Sequence, residues 1–163
     1  SEMCIRDRMG GDRTGPTEGK IPSFMIRALR DLDGANLDRI QIIKGWLDKD
    51  GETHEQVYDV ACSKGRAITP ANRCEKNVMY SVNIEKATYS KASGALAMQV
   101  YWKDPDFNPG QLAFYYVRVL EIPTPRWTTF DAKFFGVKRP ELAPASIQER
   151  AYTSPIWYTP ATP

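Results

Sequence analysis

The chain has 163 residues, enough for one domain of ordinary size with its own core. Hydrophobic residues make up 42% and charged residues 26%, the mix of a globular protein, and a formal net charge of +2 is too weak to point to nucleic acid. No apolar run approaches the roughly 20 residues of a membrane-spanning helix.

Ser1–Arg8 reads as a translated sequencing adapter. Written back as codons, it resembles the end of a transposase-type library adapter, and segments of that origin take no part in a native fold. These residues are therefore expected to have no packed partners. The native chain is expected to join near Met9, as the C-terminal piece of a longer protein whose signal peptide, if any, cannot be judged. Glu2, Arg6, Asp7 and Arg8 cancel, so the remainder keeps the +2 charge. Met9–Lys20 carries Gly, Thr and Pro without periodicity and reads as a linker or loop from an upstream domain. The domain proper is expected over residues 21–163.

Ile21–Leu32 fits two patterns. Ile21, Phe24, Met25, Ala28, Leu29 and Leu32 have helical spacing, while Phe24, Ile26 and Ala28 alternate as in a strand. The local pattern favours helix. Leu37–Leu47 places Ile40, Ile42 and Trp46 on one alternating face. Asp48–Gly51 is a turn, and Thr53–Cys62 returns as the partner of a hairpin. Ser63–Asn77 is a long polar loop. Val78, Tyr80, Val82 and Ile84 alternate, as do Leu96, Met98, Val100 and Trp102. The prolines and glycine of Lys103–Gly110 force a turn. Ala113–Ile122 is apolar on both faces and is expected to be a central, doubly covered strand. Thr128–Phe135 reads as one short helix, capped by Thr128 or Thr129 and stopped by Gly136. Glu149–Tyr158 reads as a last strand, with Pro155 marking an edge or a start. The expected fold is mainly β: an antiparallel, sandwich-like domain with one short helix near 128–135.

With the adapter removed, three cysteines become two, Cys62 and Cys74, flanking the loop Ser63–Arg73. An even count across a polar loop is compatible with one disulfide and an oxidising compartment, or with two unrelated thiols in a reducing one. His54 is the single histidine and stands at the start of a hairpin strand, where it reads as a surface residue. No metal-ligand set is present, since there is no second cysteine pair or histidine. Asp48-Lys-Asp-Gly51 and Asp31-Leu-Asp-Gly34 miss the spacing of a calcium loop and read as turns. No phosphate loop or nucleophile elbow occurs. Arg118, inside the strongest strand, calls for a charged partner if buried. After the stiff Ile122–Pro125 connection, Arg126 and Trp127 set a guanidinium beside an indole, a pair able to bind an anionic or aromatic group. The alternative is that Arg126 pairs with Asp131 while Trp127 covers the core.

Ser23–Asp31, Leu37–Trp46, Trp102-Lys-Asp-Pro-Asp-Phe107, Ala113–Trp127 and Gln148–Tyr158 resemble the C-terminal part of the bacterial family called domain of unknown function 3604. The likeness runs from about Met9 to Tyr158 and favours a strand over Ile21–Leu32. It implies a longer, secreted or periplasmic parent. The parent's N-terminal part is similar to metal-dependent hydrolases of the polymerase-and-histidinol-phosphatase type, acting on phosphate or sulfate esters, with its divalent metal and ligands upstream. In such chemistry the metal activates water and neutralises the leaving anion. The Cys62–Cys74 loop resembles the cysteine-bearing variants of the family. The expected role is a β-rich accessory domain without catalytic residues or cofactor. It would pack on the catalytic domain of the same chain, with Arg126 and Trp127 facing the substrate. The alternatives are a purely structural module and a carbohydrate- or ligand-binding sandwich.

Overall fold

A computed structural model describes residues 9–14, 21–75 and 82–161. Ser1–Arg8, most of the linker, Val78 and Tyr80 lie outside these residues. The strands in chain order are β1 (Asp12–Thr14), β2 (Ser23–Leu29), β3 (Leu37–Leu47), β4 (Thr53–Cys62), β5 (Val82–Asn83) and β6 (Thr88–Tyr89). They continue with β7 (Ala97–Lys103), β8 (Ala113–Glu121), β9 (Thr124–Pro125), β10 (Ser146–Ile147), β11 (Arg150–Tyr152) and β12 (Ile156–Thr159). The single α-helix among the described residues, α1 (Trp127–Phe135), follows β9, and a 3-10 turn at Ser63–Gly65 follows β4. The domain is mainly β, as expected, and its sheets are antiparallel except for the β1–β12 pairing.

The main sheet runs β1-β12-β8-β3-β4, with β11 also paired to β8. β3 and β4 form the expected hairpin around Asp48–Gly51. There Asp48 Oδ1 accepts from the Asp50 and Glu52 amides at 2.9 Å each, and Gly51 takes the positive φ of 83° that the turn requires. The segment 21–32 is strand, not helix. Ser23–Leu29 pairs residue for residue with Lys103–Ala97, and the two-stranded β2–β7 sheet lays Phe24, Ile26, Ala28, Val100 and Trp102 on the inner face of the main sheet. Met25 and Leu29 point outward and are exposed. The helical spacing was real, but seven pairings with β7 outweigh weak local propensity. The core between the layers comprises Leu37, Ile40, Ile42, Tyr58, Val60, Met98, Ala113, Tyr115 and Tyr158.

A polar cluster runs from this core to the surface, with Lys44, Asp104, Tyr58 and Tyr115 buried and Asp106 exposed. Lys44, on the inner face of β3, places Nζ 2.6 Å from Asp104 Oδ2 and donates to the Asp106 carbonyl at 2.8 Å. The Tyr115 hydroxyl donates to Asp104 Oδ2 at 2.6 Å and the Tyr58 hydroxyl to Asp106 Oδ2 at 2.8 Å. Asp104 also accepts the Asp106 amide at 2.9 Å, so the Asp-Pro-Asp turn folds the Asp104 carboxylate inward while Asp106 stays at the surface. Every group thus finds a partner, as burial demands. Burial pushes both the Tyr58 and the Tyr115 phenols well above their ordinary value, and their bonds to Asp106 and Asp104 add to the shift. A raised phenol keeps its proton while folded and loses it near pH 10 when unfolded. This contribution to stability is therefore complete below about pH 10 and declines as pH rises further. The urea midpoint is expected to hold from neutral pH to about pH 9 and to fall above about pH 10. At 295 nm, fewer than the chain's eight tyrosines should ionise before unfolding. All eight titrating in the folded chain near pH 10 would contradict the cluster.

β8 is central in hydrogen bonding, with β3 on one edge and β11 and β12 on the other. The expectation of cover on both faces is corrected. Its inner face lies under β2–β7, but Phe114 and Tyr116 on the outer face pack sideways against other rings and stay partly exposed. The final segment divides into β11 and β12 around Thr153–Pro155, with Pro155 just before β12, as its missing donor favours.

Candidate functional site

The sequence candidates Arg126 and Trp127 meet at the start of α1. Arg126 is the N-cap residue, and its amide donates to the Ala145 carbonyl at 3.0 Å. The cap is not a threonine side chain. Thr128 and Thr129 lie inside the first turn and are buried, and Thr129 Oγ1 donates to the Ala145 carbonyl at 2.7 Å. Gly136 ends the helix in the left-handed conformation at φ 66°, as expected.

The helix is inverted with respect to ordinary amphipathicity. Its buried residues are the two threonines, while Trp127, Phe130 and Phe134, spaced i, i+3 and i+7 on one stripe, are 65%, 42% and 83% exposed. Phe135, which packs edge-on against Phe134 at 5.0 Å, and Val137 and Leu142 further along the chain are also exposed. Arg126 makes no ion pair with Asp131 among the described residues, and its Nε is buried without a hydrogen-bond partner. Trp127 does not cover the core.

A second surface is the outer face of the main sheet. Cross-strand register sets Gly45 beside Phe114, Ile43 beside Tyr116 and Gln41 beside Arg118. Phe114 stacks with Tyr116 at 6.4 Å and 9°, Trp157 packs on Phe114 at 5.3 Å, and Tyr152 lies 6.3 Å from Tyr116. Gly45 makes the shelf possible, because a Cβ there would stand 2.3 Å from the Phe114 ring. A cleft of about 470 Å³ opens at the Gly45, Phe114 and Trp157 end.

The Cys62–Cys74 disulfide is formed, with Cα atoms 5.9 Å apart. It folds the loop after β4 back along that strand, where the Asp59 amide donates to Asn72 O at 2.9 Å and Arg73 Nη1 donates to Val57 O at 2.7 Å. Arg118 is half-buried, and its partner is an amide rather than the expected charge: Nε donates to Gln41 Oε1 at 2.7 Å. His54 is a surface residue, stacked on Trp46 at 5.3 Å with Nε2 2.7 Å from Asp48 Oδ2. The hydrogen bond from His54, aided by the Glu52 amide, holds the Asp48 carboxyl below its ordinary value. Asp48 is thus occupied as a turn staple.

Among the described residues no group of three or more His, Cys, Asp or Glu is placed to hold a metal ion. No helix described is long and apolar enough to cross a membrane. Compared with protein-family models, the chain matches the one described as Protein of unknown function (DUF3604) over residues 7–160. No curated protein and no solved structure matches it.

Proposed function

Starting from the fact that the chain belongs to the DUF3604 family, we propose that it is a non-catalytic, β-rich accessory domain that docks through the aromatic side of α1 on another domain of the same polypeptide. That domain is a metal-dependent hydrolase of phosphate or sulfate esters. The accessory domain shapes its mouth, with Arg126 and Trp127 turned toward the substrate.

The observation that carries this reading is the inversion of α1. A helix that buries threonines and exposes Trp127, Phe130 and Phe134 leaves its apolar stripe for a partner, and bare patches of this kind mark interaction surfaces. Covering one such side chain contributes about 1.5–3 kcal/mol. A purely structural module would instead bury Trp127 and pair Arg126. The divalent metal belongs to the partner domain. Among the described residues no group of three or more His, Cys, Asp or Glu is placed to hold one. The disulfide supports a periplasmic or secreted location.

The double variant Phe134→Glu/Leu142→Glu tests the docking. Both positions are exposed, so the isolated domain should keep its stability within about 0.5 kcal/mol. A polypeptide that also carries the preceding domain should become readily cleaved between the domains by a protease. Unchanged resistance in that longer polypeptide would overturn the docking.

A further inference from the structure

The outer sheet face carries a second feature, independent of α1. Four arginines distant in sequence converge on one pocket of about 330 Å³: Arg39 from β3, Arg118 from β8, and Arg66 and Arg73 from the disulfide-bounded loop. Arg39 and Arg73 each approach Asp59 Oδ1 at 3.8 Å. Gln41 Nε2 already donates to that oxygen at 2.6 Å, and the Cys74 amide donates to Oδ2 at 2.8 Å. Arg66 Nη2 pairs with the fully buried Asp38 at 2.6 Å, and Arg39 pairs with the same carboxylate. Four guanidiniums thus face two carboxylates, and both carboxylates are buried and largely occupied. Arg118 has no carboxylate partner among the described residues. Among the described residues the local excess is two positive charges, held in a depression by sheet register on one side and a covalent clamp on the other.

The aromatic shelf begins where the arginines end. Tyr152 stands directly across from Arg118, and Tyr116 lies two residues along β8 on the same face, about 7 Å away. Guanidiniums match oxyanions in planar, bidentate geometry, and flat rings accept the apolar face of a ring beside them.

We propose that this pocket binds an oxyanion carried on a ring, as in a sulfated or phosphorylated saccharide. Arg39, Arg73 and Arg118 hold the anion, and Tyr152, Tyr116 and Phe114 support the ring. Asp38 and Asp59 orient the arginines, and the Cys62–Cys74 bond keeps Arg66 and Arg73 in place.

Titration calorimetry with inorganic sulfate, inorganic phosphate, glucose 6-sulfate, glucose 6-phosphate and glucose tests the site. Both sugar esters are expected to bind about tenfold more tightly than the matching free anion, and glucose not at all. The ratio of sulfate to phosphate esters identifies the preferred anion. Arg118→Gln and Arg73→Gln should each weaken every anion about tenfold, in variants shown by their circular dichroism to be folded. Tyr152→Ala should remove only the advantage of the ring. If either arginine variant does not fold, Arg118→Lys, which keeps the charge but not the fork, should still weaken binding. Absence of anion binding would overturn the proposal, as would binding indifferent to Arg118 and Arg73.

Discussion

Replacing Asp104 with alanine is expected to destabilise the domain by about 3–5 kcal/mol, because it strands Lys44 as an uncompensated charge in the core. The Nζ–Oδ2 contact of 2.6 Å is closed off on all sides, with Lys44 and Asp104 almost fully buried. The same change takes the acceptor from Tyr115, which donates to Asp104 at 2.6 Å. Domains of this size are stable by only about 5–15 kcal/mol, so the loss should show as a large fall in the urea midpoint. The double variant Lys44→Met/Asp104→Leu should recover much of the loss, since apolar replacements of a buried pair are often tolerated. A double variant as unstable as Asp104→Ala would mean that shape, not stranded charge, sets the cost.

Replacing Cys62 and Cys74 with serine should cost about 3 kcal/mol, the entropy of a closed loop of this length in the unfolded chain. The effect should be measurable in the wild-type protein too, as a lower thermal midpoint after reduction. It should not be confined to the loop, because Cys74 supplies an amide to Asp59 and Arg73 supplies a guanidinium to Val57 O. A reduced protein with the same midpoint as the oxidised one would contradict this.

Much of the sheet was legible from residue order. Ile40, Ile42 and Trp46 on one alternating face and the Asp-Lys-Asp-Gly turn mark β3 and β4 without help from the rest of the chain. β2 was not legible, since Phe24, Ala28 and Leu29 suit a helix face as well as a strand, and only pairing with β7 decides. The helix was legible but its cap was not. Thr128 and Thr129 resemble capping residues, yet both are buried in the first turn, where Thr129 donates to Ala145 O and Thr128 Oγ1 has no hydrogen-bond partner among the described residues. The cover on β8 was overestimated because Phe114 and Tyr116 satisfy one another laterally, over the space that Gly45 leaves. Lys44 and Asp104 are 60 positions apart, and the pocket arginines stand at 39, 66, 73 and 118. Register and a disulfide bring these groups together, and neither leaves a local motif. Trp127 and Arg126 stood out as a pair, whereas the inversion of the whole helix emerges only when burial shows which side faces the domain.

Amide hydrogen exchange across Trp127–Phe135 tests the central claim most directly, comparing this domain alone with a polypeptide that also carries the proposed partner domain. The α1 amides and those flanking Leu142 should exchange at least about tenfold more slowly in the longer polypeptide, while β3 and β8 exchange alike in both. Equal exchange across α1 in the two would contradict the docking of this helix.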